Sequence, residues 1–273
     1  MNSKKYSVAI LGCVKNCNRY LDNVLFNMYD IVNMFKDFRI LIYENDSIDG
    51  TQETLIKFSK KDNRILVSIN NIKKNIMPNI TQNYRTWNIA NARQILLNNL
   101  KNMDYNPDYV IVMDMDDVGE KINKGKYFIK HALSINDKWD GLFPHPSYDL
   151  WAFRKEGLVY NLMEFKDPLS QPNLDKEIQS YMSKLRPYFD TRNDNQYDSN
   201  GLMKVFSSFN GIGIYKYNIY CRGVYSGKNL FYHVPKHLQA PKEHFQECEH
   251  VNFHRSLGPQ TKLRITKDIR YPI

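Results

Sequence analysis

Two clusters in this 273-residue chain combine residue types that do chemistry together. The first is Asp114-Met115-Asp116-Asp117, which follows directly on the apolar run Tyr109 to Met113. Carboxylates at alternate positions past the end of a buried strand can point the same way, toward a hard, oxygen-preferring cation such as Mn2+ or Mg2+. Such an ion bridges two phosphates and neutralises the charge that develops on a departing diphosphate. A short acidic turn of this kind can equally do no more than cap the next helix. The second cluster is Glu247-Cys248-Glu249-His250-Val251-Asn252-Phe253-His254. Its two histidines share one face whether the segment is helix or strand. The order is not the HExxH of a zinc protease, and a solvated helix start would account for Glu247 and Glu249.

A third segment, Tyr148-Asp149-Leu150-Trp151-Ala152-Phe153-Arg154, combines aromatic faces with an acid and a base, the means by which proteins grip sugar rings and their hydroxyls. Its alternative is an amphipathic strand that packs Trp151 and Phe153 in the core. The cysteines, Cys13, Cys17, Cys221 and Cys248, never form a CxxC pair, so free thiols are expected rather than a zinc knuckle or a redox dithiol.

The elements that must position these groups alternate between strand and helix. Tyr6 to Val14 is a continuous apolar run of buried-strand type. Tyr20-Leu21, Val24-Leu25, Met28 and Ile31-Val32 recur on one helical face. Phe38 to Tyr43 is a second strand, ended by the polar turn Glu44 to Thr51, and Gln52 to Ser59 returns to helical spacing. Arg64 to Ile69 reads as a third strand, Trp87 to Leu100 as a long helix and Tyr109 to Met113 as a fourth strand. Lys126 to Leu133 follows as a helix and Gly141 to Phe143 as a short strand. This series implies an α/β fold with a mostly parallel central sheet flanked by helices, in which ligands bind at the carboxyl ends of the strands. Both acidic turns, 44–49 and 114–117, lie at such ends. Residues 155–205 are weakly periodic and polar, and read as an insertion.

The formal charge of +9 favours anionic ligands, and it is spread over pairs such as Lys60-Lys61 and Lys73-Lys74 without the basic run of a nucleic-acid tail. A nucleoside diphosphate suits this spread, and nucleic acid is not the expected partner. No stretch has the roughly 18 apolar residues of a membrane span and no signal peptide is read at the start, so a cytoplasmic protein is expected.

The segment Tyr43-Glu44-Asn45-Asp46-Ser47-Ile48-Asp49-Gly50-Thr51, followed in order by Asn88-Ile89-Ala90-Asn91-Ala92-Arg93 and by Asp114-x-Asp116, resembles the GT-A glycosyltransferase superfamily. The resemblance covers most of the chain outside roughly 155–205. It implies a single GT-A domain over 1–273, of Rossmann-like architecture, with a nucleotide-sugar half (1–120) and an acceptor half (121–273). By it, Glu44 holds the place of the carboxylate that bonds the nucleobase, with Asn45 beside it where many members have a second acid. Arg93 clamps the nucleotide or pairs with Asp114. Asp114 and Asp116 hold the metal, Asp114 also standing near the ribose, and His250 or His254 completes the set. Glu249 and Asp149 are the catalytic carboxylates, and Ser207 to Tyr215, with Gly211 and Gly213, floors the acceptor site; a bend in a strand would place the same two glycines. The resemblance implies transfer from a nucleotide-sugar donor, a UDP-sugar by frequency, to a glycan, protein or lipid-linked acceptor with Mn2+ or Mg2+. Two rivals stand beside it. A nucleotidyltransferase would show a glycine-rich phosphate loop where Leu11 to Asn16 has one glycine, and a degenerate protein would bind carbohydrate or nucleic acid without turnover.

Overall fold

The computed structural model describes residues 4–71, 85–146, 149, 151–155, 196–227, 247–267 and 269. The elements are β1 (Ser7–Val14), α1 (Asn18–Val32), β2 (Asp37–Asn45), α2 (Thr51–Ser59), β3 (Ile65–Asn70), α3 (Arg85–Lys101), β4 (Tyr109–Met113), α4 (Asp117–Glu120), α5 (Gly125–Ser134), β5 (Gly141–Phe143), β6 (Leu202–Lys204), β7 (Ile212–Lys216), α6 (Tyr217–Tyr220), α7 (Glu249–Ser256) and β8 (Leu263–Thr266). Those expected from periodicity are present within one or two residues, the usual scatter of element ends. Most of the expected insertion lies outside the described residues, and its end carries β6.

The strands form one sheet in the order β3-β2-β1-β4-β7-β5-β8-β6. The pairs β1–β2, β1–β4, β2–β3 and β5–β8 are parallel, while β4–β7, β5–β7 and β6–β8 are antiparallel. The molecule is thus a mixed α/β fold whose first half is the parallel sheet that the strand–helix alternation implied. Because side chains alternate across a strand, β1 feeds two cores. Val8 and Ile10 pack with Leu21, Val24 and Met28 of α1 and with Leu55 of α2. Ala9 and Leu11 face the other way, toward α3, into a second cluster that includes Leu96 and Leu97 of α3 and Val251 and Phe253 of α7. No helix among the described residues is long and apolar enough to cross a membrane, and all four cysteines are free thiols.

The two glycines at the start of β7 have separate tasks. Gly211 has a φ of 85°, a conformation costly for any residue with a Cβ, and its carbonyl accepts the Asp114 backbone N–H at 2.9 Å. It thereby fastens the acidic turn to the neighbouring strand. At Gly213 a Cβ would stand 2.9 Å from the ring of Phe143, which is fully buried. Adding bulk there overpacks the core, so Gly213→Val should destabilise the fold by about 1–3 kcal/mol, read as a lower urea midpoint. A midpoint equal to that of the wild type would contradict this packing.

Candidate functional site

A cleft of about 540 Å³ opens at the carboxyl ends of the parallel strands, where α/β sheets bind ligands. Its wall is built from Cys13 to Cys17 after β1, Asn45 at the end of β2, Asp114 to Asp116 after β4, and Arg85, Asn88, Ile89, Ala92 and Arg93 of α3. Both acidic turns and the arginine helix of the sequence motif therefore converge on one surface. Sequence reasoning did not single out Lys15 and Arg85, two exposed cations on this wall. The signal for Lys15 was its place directly after a buried strand.

Arg93 is 6% exposed, unlike the solvated arginine that is usual on a helix. Its Nη2 donates to Asp114 Oδ1 at 3.0 Å and its Nε to Glu249 Oε1 at 3.2 Å, and the guanidinium lies 5.1 Å from the ring centre of Phe209. The expected pairing with Asp114 is present. Glu249, at the start of α7, is buried, as is Glu247, so neither belongs to a solvated helix start. Arg154 Nη2 donates to Glu247 Oε1 at 2.9 Å, and Arg154 Nη1 donates to the carbonyls of Trp151 and Phe153. Arg154 thus acts as a buried tie between its own segment and the start of α7. Phe153 is fully buried and Trp151 half-buried, which favours core packing over sugar contact for Phe153; Tyr148 lies outside the described residues.

Asp149 belongs to the same acidic group. Burial, followed by the charges of Glu249 and Asp114, pushes its carboxyl up to about 7, against a hydrogen bond from the Ala152 N–H and the charge of Arg93. Three carboxylates (Asp114, Glu249 and Asp149) surround one guanidinium, and like charges at close range cannot all ionise together.

The turn after β2 is a staple between two loops. Ser47 Oγ accepts from Asn16 N at 2.9 Å, Asp49 Oδ2 accepts from Asn18 N at 2.9 Å, and Thr51 Oγ1 accepts from Cys17 N at 3.0 Å. Asp49 Oδ1 also accepts from Thr51 Oγ1 at 2.6 Å. These hydrogen bonds hold the Asp49 carboxyl below its ordinary value despite the opposing effect of burial. Glu44 is fully buried. Its Oε1 accepts from Ser47 N at 2.8 Å, while Oε2 has no hydrogen-bond partner among the described residues.

Asp116 caps α4, accepting from Val118 N at 3.0 Å. With Asp114 it offers hard oxygen donors at the cleft wall, the chemistry that Mn2+ or Mg2+ prefers. His250 stands apart from this pair: its ring stacks on Phe209 with centroids 3.7 Å apart, and it is not on the cleft wall. Among the described residues no group of three or more His, Cys, Asp or Glu is placed to hold a metal ion. His254 hydrogen-bonds with Ser207 Oγ through Nδ1 at 2.8 Å and with Tyr215 Oη through Nε2 at 2.9 Å, so both its ring nitrogens are engaged in the core.

No protein-family model matches the chain, and no curated protein matches it. Among solved structures, S. aureus TarS 1–349 superposes with a TM-score of 0.46 at 10% identity, covering 97% of this chain and 59% of that one. Glucosyl-3-phosphoglycerate synthase from Mycobacterium tuberculosis, in complex with Mn2+, UDP and phosphoglyceric acid, gives 0.40 at 9%, covering 79% and 57%. The mannosyltransferase PcManGT from Pyrobaculum calidifontis, in complex with GDP-Man and Mn2+, gives 0.34 at 11%, covering 59% and 44%. The chain spans about three fifths or less of the length of these proteins. At such scores the likeness leaves activity to the chain's own residues.

Burial drives the His254 pKa down to about 3, against about 6.5 in an unfolded chain. Between these values the unfolded chain binds the proton and the folded one does not, so stability falls as pH drops from about 6.5 toward 3. In urea titrations across that window His254→Gln should show a shallower loss than the wild type; equal slopes would contradict a neutral, buried His254.

Proposed function

We propose that this chain is a GT-A glycosyltransferase that moves a sugar from a nucleoside-diphosphate donor to a hydroxyl of a glycan, protein or lipid-linked acceptor. The supporting observation is the cleft at the ends of β1, β2 and β4, where Asp114 and Asp116 share a wall with Lys15, Arg85 and Arg93. A diphosphate needs cations, and a divalent ion needs hard oxygens; this wall offers both. A bound Mn2+ or Mg2+ would supply charge neutralisation on the departing diphosphate, with Asp114 and Asp116 as its protein ligands.

The remaining roles follow from geometry and charge. Arg93 holds Asp114 by its guanidinium and keeps Glu249 in the same frame. Lys15 and Arg85 attract the phosphates. The base would lie against Asn45 at the end of β2, on the cleft wall, with a UDP-sugar as the donor proposed. Asp149, with its carboxyl near 7, is the base best matched to neutral pH. In transfer, a bond forms between the acceptor oxygen and the anomeric carbon, the bond from that carbon to the diphosphate oxygen breaks, and the acceptor proton passes to Asp149.

Thermal melts with UDP, GDP, CDP or ADP, each with and without Mn2+, test the donor, because a ligand of the folded state alone raises the melting point. A metal-dependent rise with UDP, lost in Asp116→Ala, is expected. No rise with any nucleotide would point instead to a protein that binds carbohydrate without turnover. The rate of donor turnover should increase through pH about 7 as Asp149 deprotonates. In Asp149→Asn it should fall by about 10²–10⁴-fold and lose that inflection. A wild-type rate flat between pH 5 and 8 would exclude Asp149 as the base.

A further inference from the structure

The outer face of α1 and α5 takes no part in lining the cleft. From Lys121 to Asn136 the chain carries four lysines and no acid. Within that run α5 buries Gly125, Phe128, Ile129 and Ala132, which turns Lys126, Tyr127 and Lys130 outward by helical spacing. Tyr127 is 62% exposed, and Phe26 on α1 is 71% exposed. Lys126 Nζ donates to Asp30 Oδ1 at 2.7 Å, and Asp30 lies one turn beyond Phe26, so the two helices carry their exposed rings on adjoining faces. Apolar residues scattered singly over a surface are ordinary; two aromatic rings on neighbouring helices, set among lysines, form a patch.

The charges of this face do not cancel. Asp117, Asp30 and Glu120 are engaged by Lys121, Lys126 and Asn23. Lys124 and Lys130 are exposed and pair with no carboxylate among the described residues, Lys130 Nζ lying instead 6.0 Å from the centre of the Tyr127 ring. Arg19, two turns before Phe26 on the same stripe of α1, is a third exposed cation, against Asp22 as the exposed acid of that stripe. Lysine is depleted at protein–protein interfaces. Aromatic rings flanked by lysines, whose stems lie along apolar surface while the ammonium groups stay in water, fit the boundary of an anionic bilayer instead.

We infer that this face docks the protein on an anionic lipid bilayer, with Phe26 and Tyr127 entering the headgroup region and Arg19, Lys124 and Lys130 meeting the lipid phosphates. α1 begins directly after Cys17 and α4 directly after Asp116, both on the cleft wall. Docking therefore brings the cleft close to the bilayer and selects a lipid-linked acceptor, a consequence that rests on the transferase reading above, whereas the docking itself does not. The test is co-sedimentation of the full chain with vesicles of mixed phosphatidylglycerol and phosphatidylcholine, and with vesicles of phosphatidylcholine alone. Binding to the anionic vesicles only, weakened by salt, is expected. Lys124→Gln and Lys130→Gln should each weaken it about fivefold, and Phe26→Ser about tenfold. The substituted side chains are exposed, so each variant should melt, without nucleotide, at the wild-type temperature. Equal binding to both kinds of vesicle, no binding to either, or affinities unchanged in all three variants would overturn the inference. Capture of soluble polyphosphate through the same lysines, with no vesicle binding, would overturn it in favour of a soluble polyanion. The vesicle assay uses no nucleotide and the nucleotide melts use no lipid, so failure of this inference is distinguishable from failure of the donor reading.

Discussion

The site depends on one buried cation. A guanidinium removed from water costs several kcal/mol unless charge and hydrogen bonds replace the lost hydration. Arg93 finds both in Asp114, at the end of β4, and in Glu249, 156 positions away at the start of α7. Three elements, α3, β4 and α7, are thereby held in mutual register by side chains that also face or adjoin the cleft. Breaking such a pair from one side strands a buried charge, an effect of about 3–5 kcal/mol, so the arrangement has few alternatives. Asp149 adjoins the same frame: burial first, and then the charges of Glu249 and Asp114, push its carboxyl up to about 7 against the pull of Arg93.

Residues that resemble a functional motif here do a large part of their work as structure. Ser47, Asp49 and Thr51 bind the backbone of Asn16, Asn18 and Cys17, which fixes the loop after β1 against the turn after β2. The cleft wall at Lys15 and Asn45 exists because these loops are stapled. Asp116 combines two roles in one side chain, capping α4 and presenting a carboxylate to the cleft.

The parallel half of the fold was legible because its signals are local. Tyr109 to Met113 is uniformly apolar and forms β4 over those same residues, and the helical face of α1 is spelled out by Leu21, Val24, Leu25, Met28 and Ile31. What local pattern could not reveal was burial decided by distant partners. The pairing of Arg93 with Asp114 was expected, but its second partner, Glu249, was not, and Arg154 looked like a sugar contact until Glu247, 93 positions on, took its Nη2. His250 and His254 have the same spacing in helix and strand, so only packing separates them: one lies on Phe209, the other bridges Ser207 and Tyr215. The antiparallel edge of β6 and β8 consists of strands of three and four residues, too short for periodicity to mark.

The most direct measurement is a crystal structure of the chain grown with UDP and Mn2+. The account predicts density for the diphosphate and one metal ion in the cleft beside Asp114, Asp116 and Lys15, the base lying against Asn45, and the Arg93 pairs with Asp114 and Glu249 intact. A nucleotide bound away from this cleft, or an empty cleft at saturating UDP, would contradict it.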